Sequence, residues 1–513
     1  MIIGMLAAMP TAPTGPPAGT VSPSDRSASG SGDGGPSAAG GDACPGALRL
    51  HTADDGALAR VRVPGGVLTS RQAKALAGAA ERLGDGVLHL TSRGNVQLRG
   101  LGAGCGQELA TLLDTAGLLP SRGHERVRNV LASPLSGLDG RGAGDVGPWL
   151  RALDGLLCAS DAARGLSGRF LFALDDGRGD VAALGADVTL TAVPGGGALL
   201  RLGTEAGTGA LTVPGGSAAL AALTAAEVFL DAAAAVPEGW GRVWRVGDLP
   251  GTASDALLPE LVSRLARRGV GVSRGAAASS DVPDFSGSPD GPSAGVVAGP
   301  RPGAPAALSV LAPLGRLSAA QWRLLAECAR TEGGDELRLT PWRGVVVPGV
   351  PAARAAERLA ALAATGLITG DASPWHGVGA CIGRPGCAKS LADVRADAAD
   401  ALVHSGTDDG GTDDSGTGDS GTGDSGTDDS GTDGSPALLP VHWSGCERRC
   451  GRPPGDRVDV VAAPEGYRVS VVRAGRPDPA VTPPPGSPAG LAAAVASARS
   501  RTAPKAPAPA PAP

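Results

Sequence analysis

The sequence predicts an α+β fold made by internal duplication, and three observations carry that expectation. Residues 66–118 match residues 315–367 without a gap. Both copies show the same alternation of helical and strand periodicity, in the order strand–helix–strand–strand–helix. Each copy is then followed by a longer mixed stretch, and only the second stretch carries closely paired cysteines.

The repeat shares Gly66/Gly315, Leu68/Leu317, Gln72/Gln321, Leu76/Leu325, Leu88/Leu337, Leu90/Leu339 and Val96/Val345. A preceding strand is expected at about 57–63, where Leu58, Val61 and Val63 alternate with polar residues, and its counterpart at 307–311. Thr69-x-x-Gln72 and Ser318-x-x-Gln321 have the hydroxyl and amide of a capping box. They predict amphipathic helices over about 70–83 and 319–330. Gly84 and Gly333 are expected to end them in left-handed backbone. Two short strands follow at about 87–91 and 95–98, and at 336–339 and 344–347. A second helix closes each unit at Gly117 or Gly366. This element order is a ferredoxin-like half, and two copies are expected to pair into one pseudo-symmetric domain. The expected domains are halves at 43–119 and 305–369, each followed by an α/β lobe, at 120–295 and 370–490.

Composition limits the rest. Residues 1–42 and 491–513 are rich in Pro, Gly, Ser and Ala, and both predict disordered tails. Residues 405–435 form a degenerate Gly-Thr-Asp-Asp-Ser repeat that predicts a flexible acidic insert, read as a tolerated loop expansion. The insert holds nine aspartates; without them the net charge of −6 becomes about +3. A mildly basic remainder suits a small anionic substrate and lacks the dense basic face that nucleic acid requires. No apolar run of about 18 residues stands out, so no membrane span is expected. The N-terminus lacks a basic region followed by a long apolar stretch, so a cytoplasmic setting is expected. No G-x-G-x-x-G lies between a strand and a helix, so no nicotinamide site is expected.

Cys381 and Cys387 form a C-x5-C pair, and Cys446 and Cys450 a C-x3-C pair. Four thiolates in two short-range pairs are the ligand set of an iron–sulfur cluster, and the neighbouring glycines let backbone N–H groups approach its sulfurs. Structural zinc also takes four cysteines, but as pairs two to four residues apart. Cys44, Cys105, Cys158 and Cys328 show no such pairing, and Cys328 reads as a small core residue. At the repeat offset Cys381 faces Ala132, so the first lobe lacks the cysteines and is expected to bind the substrate.

Several stretches carry a family resemblance. They are Cys44-Pro45-Gly46, the run from Leu90 to Gly100, Arg128-Asn129-Val130-Leu131-Ala132-Ser133-Pro134-Leu135, Phe172-Ala173-Leu174-Asp175-Asp176-Gly177, Leu339-Thr340-Pro341-Trp342-Arg343-Gly344 and the two cysteine loops. On these residues the chain resembles the nitrite/sulfite reductase superfamily, and within it the precorrin-3B synthase family of aerobic cobalamin biosynthesis. The resemblance implies a nitrite/sulfite reductase-like fold with a [4Fe–4S] cluster on Cys381, Cys387, Cys446 and Cys450. It implies O2-dependent hydroxylation and lactone formation on precorrin-3A, a tetrapyrrole polycarboxylate. It also implies a mononuclear non-haem iron for oxygen and an NADH-linked electron donor or reductase. Two alternatives stay open. One is a sulfite or nitrite reductase carrying sirohaem beside the cluster; the other is a non-catalytic iron–sulfur electron-transfer protein.

The resemblance also implies substrate contacts. Arg93 stands in the Thr-x-Arg position, Arg128 with Asn129 in a second basic motif, and Arg169 before Phe170 in a third. Guanidinium forks suit carboxylates. Arg99 is a weaker candidate. Sirohaem reductases carry two lysines near the third motif, where this chain has only Arg169. A non-haem iron would take two histidines and a carboxylate, and no pair of the six histidines has a ligand spacing. His376 and His442 read as structural groups near the cysteine loops, His404 as solvated, and Asp175-Asp176 as a turn.

Overall fold

The structure, a computed structural model, describes residues 45–203, 209–237, 239–274, 291–405, 438–453 and 455–500. The predicted N-terminal tail, Cys44 and all but the first residue of the acidic insert lie outside them.

The first half contains β1 (His51–Ala53), β2 (Gly56–Val61), β3 (Val67–Thr69), α1 (Ser70–Leu83), β4 (Val87–Leu90), β5 (Val96–Leu101) and α2 (Gly106–Thr115). The first lobe follows with β6 (Val130–Ala132), α3 (Gly147–Ala159), β7 (Phe172–Asp175), β8 (Val188–Val193), β9 (Gly197–Leu202), β10 (Ala210–Pro214), α4 (Ala218–Ala234), α5 (Gly251–Arg267) and β11 (Ser273–Arg274). The second half repeats the first: β12 (Gly295–Val297), β13 (Ala306–Leu311), β14 (Arg316–Ser318), α6 (Ala319–Thr331), β15 (Glu336–Leu339), β16 (Gly344–Val350) and α7 (Ala352–Ala363). The second lobe holds β17 (Val378–Ala380), α8 (Val394–Ser405), β18 (Val441–Ser444), β19 (Arg457–Ala463), β20 (Gly466–Arg473), β21 (Arg476–Pro477) and α9 (Pro488–Arg499).

Both capping boxes are present, with Thr69 Oγ1 and Ser318 Oγ each accepting from the backbone N–H three residues on. The halves are joined by strand exchange. Each three-residue strand before a capped helix pairs with the sheet of the other half: β3 with β15, and β14 with β4. The sheets therefore run β1-β2-β5-β4-β14 and β12-β13-β16-β15-β3. Helices α1 and α6 pack together above them; buried Trp322 donates its indole N–H to Ala73 O at 2.7 Å. One apolar core runs through both halves, from Val61, Leu76 and Leu88 to Leu325, Leu337 and Val347.

Gly84 and Gly333 are needed for closeness, not for handedness. Gly84 has φ −127°, and the left-handed residues fall at Gly86 and Gly334. A Cβ at Gly84 would lie 2.5 Å from Arg99 O, and one at Gly333 2.7 Å from Pro348 O.

The two lobes share a topology. β6, β7 and β8 are parallel and β9 to β11 antiparallel; likewise β17, β18 and β19 are parallel and β20 and β21 antiparallel. Two features correct the sequence reading. Residues 488–499 are a helix, not part of a tail: Ser487 caps it, and Ala492, Val495 and Ala498 are buried against the second-lobe core. The segment Gly215–Ala234 is long and apolar enough to cross a membrane, although no such run was expected. Its apolar length is explained by position, since α4 is a central core helix of the first lobe with Phe229 packed on Phe170.

Candidate active site around the cysteine loops

Parallel pairing brings the cysteine loops together. β17 and β18 align Ala380 with Trp443, so both loops leave the same, C-terminal end of the pair. This is where open α/β sheets place ligands. Cys381 N–H donates to Trp443 O at 2.9 Å, and Gly445 N–H donates to Cys381 Sγ at 3.2 Å. Burial pushes the Cys381 thiol up; the backbone N–H groups of Gly445 and Gly383 oppose that, and the Cys450 and Cys446 thiols add to it. Thiols that resist each other's ionisation are relieved by a cation, so this donor set fits a metal cluster.

Cys387 is held from the first half. Arg99, buried, forms a two-pronged ion pair with Asp55 (both contacts 2.7 Å) and donates to Gly386 O at 2.8 Å. Ala388 N–H donates to Asp54 beside it. Arg99, the weaker substrate candidate, is thus a clamp on the loop. Cys450 is exposed. Buried His442 donates from Nε2 to Cys450 O at 3.1 Å, and Arg343 Nη2 donates to Gly451 O at 3.4 Å. Arg395 donates from Nε to Cys381 O at 3.1 Å. Burial, with the nearby Arg316, Arg343 and Arg99 charges, brings Arg395 down to about 10. A cavity of about 460 Å³ opens beside it, lined by Arg316, Leu314 and Trp375.

The substrate candidates gather at the other lobe. Arg93, in the β4–β5 turn, donates from Nη1 to Gly168 O at 3.3 Å. Arg169 is exposed, its guanidinium 6.0 Å from the Trp244 ring. The β4–β5 and β15–β16 turns meet at the centre: a Cβ on Gly94 would sit 3.3 Å from Leu339 O. One turn reaches the first lobe and the other the cysteine lobe.

Two of the substrate candidates are engaged inside the fold. Arg128 does not face an open site. Its guanidinium is buried and bonds both oxygens of Asp154 on α3, at 2.7 and 2.8 Å. A carboxylate inside the protein already occupies the fork. Asn129 is fully buried; it donates to Phe170 O at 3.0 Å and accepts from Asn95 Nδ2 at 3.2 Å, tying the β4–β5 turn to the lobe. For the mononuclear iron, no three His, Cys, Asp or Glu side chains converge on a single-ion site among the described residues. Asp175 does form a turn, accepting from the N–H groups of Gly177, Gly179, Val181 and Ala182. His376 is half exposed beside Asp371.

Sequence reasoning missed Arg343, Arg395 and the Asp54–Asp55 clamp. The signal for Arg343 was in the repeat, where it faces Gly94 at the same offset. Nothing local marks Arg395, which bonds a carbonyl 14 residues back, or Asp55, whose partner Arg99 is 44 residues on.

Comparison with known proteins agrees with this architecture. The family described as "Nitrite/Sulfite reductase ferredoxin-like half domain" matches residues 51–104 and 302–365. A precorrin-3B synthase from Sinorhizobium sp is 26% identical over 438 residues, 84% of this chain and 82% of that protein. A ferredoxin–nitrite reductase from Synechococcus elongatus is 35% identical over 127 residues, 24% of this chain and 25% of that one. Among solved structures, the Mycobacterium tuberculosis NirA protein superposes with a TM-score of 0.61 at 20% identity, over 83% of this chain and 77% of that one. The chain therefore carries the nitrite/sulfite reductase ferredoxin-like half domain in both halves of its repeat, and is similar over most of its length to precorrin-3B synthase.

Proposed function

We propose that this protein is an iron–sulfur oxidoreductase acting as a precorrin-3B synthase, using O2 to hydroxylate precorrin-3A with lactone formation. The observation that carries the reading is the juxtaposition of the two cysteine loops at the ends of β17 and β18, with Cys381 sensing Cys446 and Cys450. Cys381, Cys387, Cys446 and Cys450 would hold a [4Fe–4S] cluster, which supplies one-electron transfer when bound. Arg93 and Arg169 are the cations proposed for substrate carboxylates. Arg128 and Asn129 support them from behind through Asp154 and the Gly168–Phe170 backbone. An NADH-linked reductase would supply electrons in a cytoplasmic setting. An oxygen-binding iron would need ligands from the substrate, solvent or residues beyond those described.

The alternative reading is a sirohaem-dependent sulfite or nitrite reductase. It is favoured by the local identity to ferredoxin–nitrite reductases and by the exposure of Cys450. One experiment separates them: the absorption spectrum of anaerobically purified protein, with iron and sulfide analysis and incubation with precorrin-3A, reductant and O2. A broad shoulder in the blue and a hydroxylated lactone product are expected. Strong Soret and red bands would favour the reductase; zinc without sulfide would overturn both readings.

A further inference from the structure

Arg343 adopts a backbone conformation that its counterpart in the first half leaves to glycine. The two turns are built alike. Gly94 N–H donates to Thr91 O at 3.1 Å and Thr91 N–H to Asn95 O at 3.0 Å; Arg343 N–H donates to Thr340 O at 3.1 Å and Thr340 N–H to Gly344 O at 2.9 Å. Gly94 has φ 61° and Arg343 φ 62°. A Cβ is disfavoured in this left-handed region, so an arginine kept there implies a use for its side chain.

The surroundings show what that use is. Among the described residues Arg343 makes no ion pair; its partner is Gly451 O, one residue past Cys450. A Cβ built on Gly379 would lie 3.4 Å from its Nη1, and one on Gly451 3.2 Å from its Nη2. The guanidinium thus lies between the two cysteine loops, against glycines two residues before Cys381 and one after Cys450. His442 lies beside it. Its Nε2 faces Cys450 O, which can only accept, so Nε2 carries the proton and Nδ1 is left buried without a partner.

We propose that Arg343 is a positioning residue for the iron–sulfur site. With His442 it fixes the Cys450 and Gly451 carbonyls, and its unpaired positive charge raises the reduction potential of the cluster. The physical reason is that reduction adds negative charge to the cluster, and a neighbouring cation stabilises that state. The inference rests on the cysteines being cluster ligands.

The test uses the full chain, reconstituted anaerobically, as wild type and as Arg343→Gln, Arg343→Lys and Arg343→Gly. It measures iron and sulfide content, thermal unfolding and an EPR-monitored redox titration. The Gln and Gly variants should titrate at lower potential, or lose the cluster while remaining folded; the Lys variant should stay near wild type. The Gly variant should fold, because the turn already takes glycine at position 94. Folded Gln and Gly variants with full clusters and the wild-type potential would overturn the role of Arg343, even if their affinity for precorrin-3A fell. An equal shift in the Lys variant would overturn it too. A wild-type protein without iron and sulfide would instead remove the cysteine assignment itself.

Discussion

Ser133 and Cys381 hold the same place in the two lobes. Each follows the first parallel strand and donates its N–H to the strand beside it, Ser133 to Leu174 O at 3.0 Å and Cys381 to Trp443 O at 2.9 Å. Each side chain then accepts a backbone N–H from the next loop, Ser133 Oγ from Asp176 at 3.0 Å and Cys381 Sγ from Gly445 at 3.2 Å. The repeat offset pairs Cys381 with Ala132, and the structure moves that correspondence by one residue. Oxygen stands where the second lobe has sulfur, and Ser133 Oγ donates to Asp180 at 2.6 Å.

This relationship predicts the outcome of Cys381→Ser. Serine already satisfies the same backbone geometry in the first lobe, so the apoprotein should keep its stability within about 1 kcal/mol. Iron and acid-labile sulfide should be lost. A full complement of both in the serine variant would remove Cys381 from the ligand set.

Arg128→Ala should lower stability by about 2 kcal/mol, because it leaves Asp154 without its charge-assisted partner in a mostly buried setting. Urea unfolding checks this, and a double-mutant cycle with Asp154→Asn should give a coupling of similar size. If stability is unchanged while tetrapyrrole affinity falls tenfold, Arg128 is a ligand contact after all.

Arg99→Gln should loosen the loop of Cys387 without touching a thiol. The lost bonds to Asp55 and Gly386 predict iron release to a chelator about tenfold faster than wild type, on the usual worth of such a bond. Identical release kinetics would show that the clamp has no hold on the site.

Asp180 predicts a pH dependence of folding. Burial, opposed by the Ser133 hydroxyl and reinforced by Asp175 and Asp176, pushes its carboxyl up to about 7. Unfolded, it titrates near its ordinary value of 3.8. Below about pH 4 both states hold the proton. Between about pH 4 and 7 the unfolded chain has released it and the folded protein has not, so stability falls as pH rises, by up to about 1.4 kcal/mol per unit. Asp180→Asn should flatten unfolding free energies across this window; parallel profiles for the two proteins would contradict it.

The chain alone determined the features whose causes are short in sequence. The capping boxes at Thr69 and Ser318 and the turn at Asp175 each depend on residues within a few positions, and the repeat made the boxes visible twice. Tertiary structure decided where partners come from afar. Strands β3 and β14 are three residues long and exist only because the opposite half supplies a sheet. The Ala-rich α9 resembles a tail until a core accepts Ala492, Val495 and Ala498. Arg128 and Arg99 look alike as unpaired cations in sequence; Asp154 and Asp55 claim their charges only in the folded protein, since charges attract according to distance in space and not along the chain.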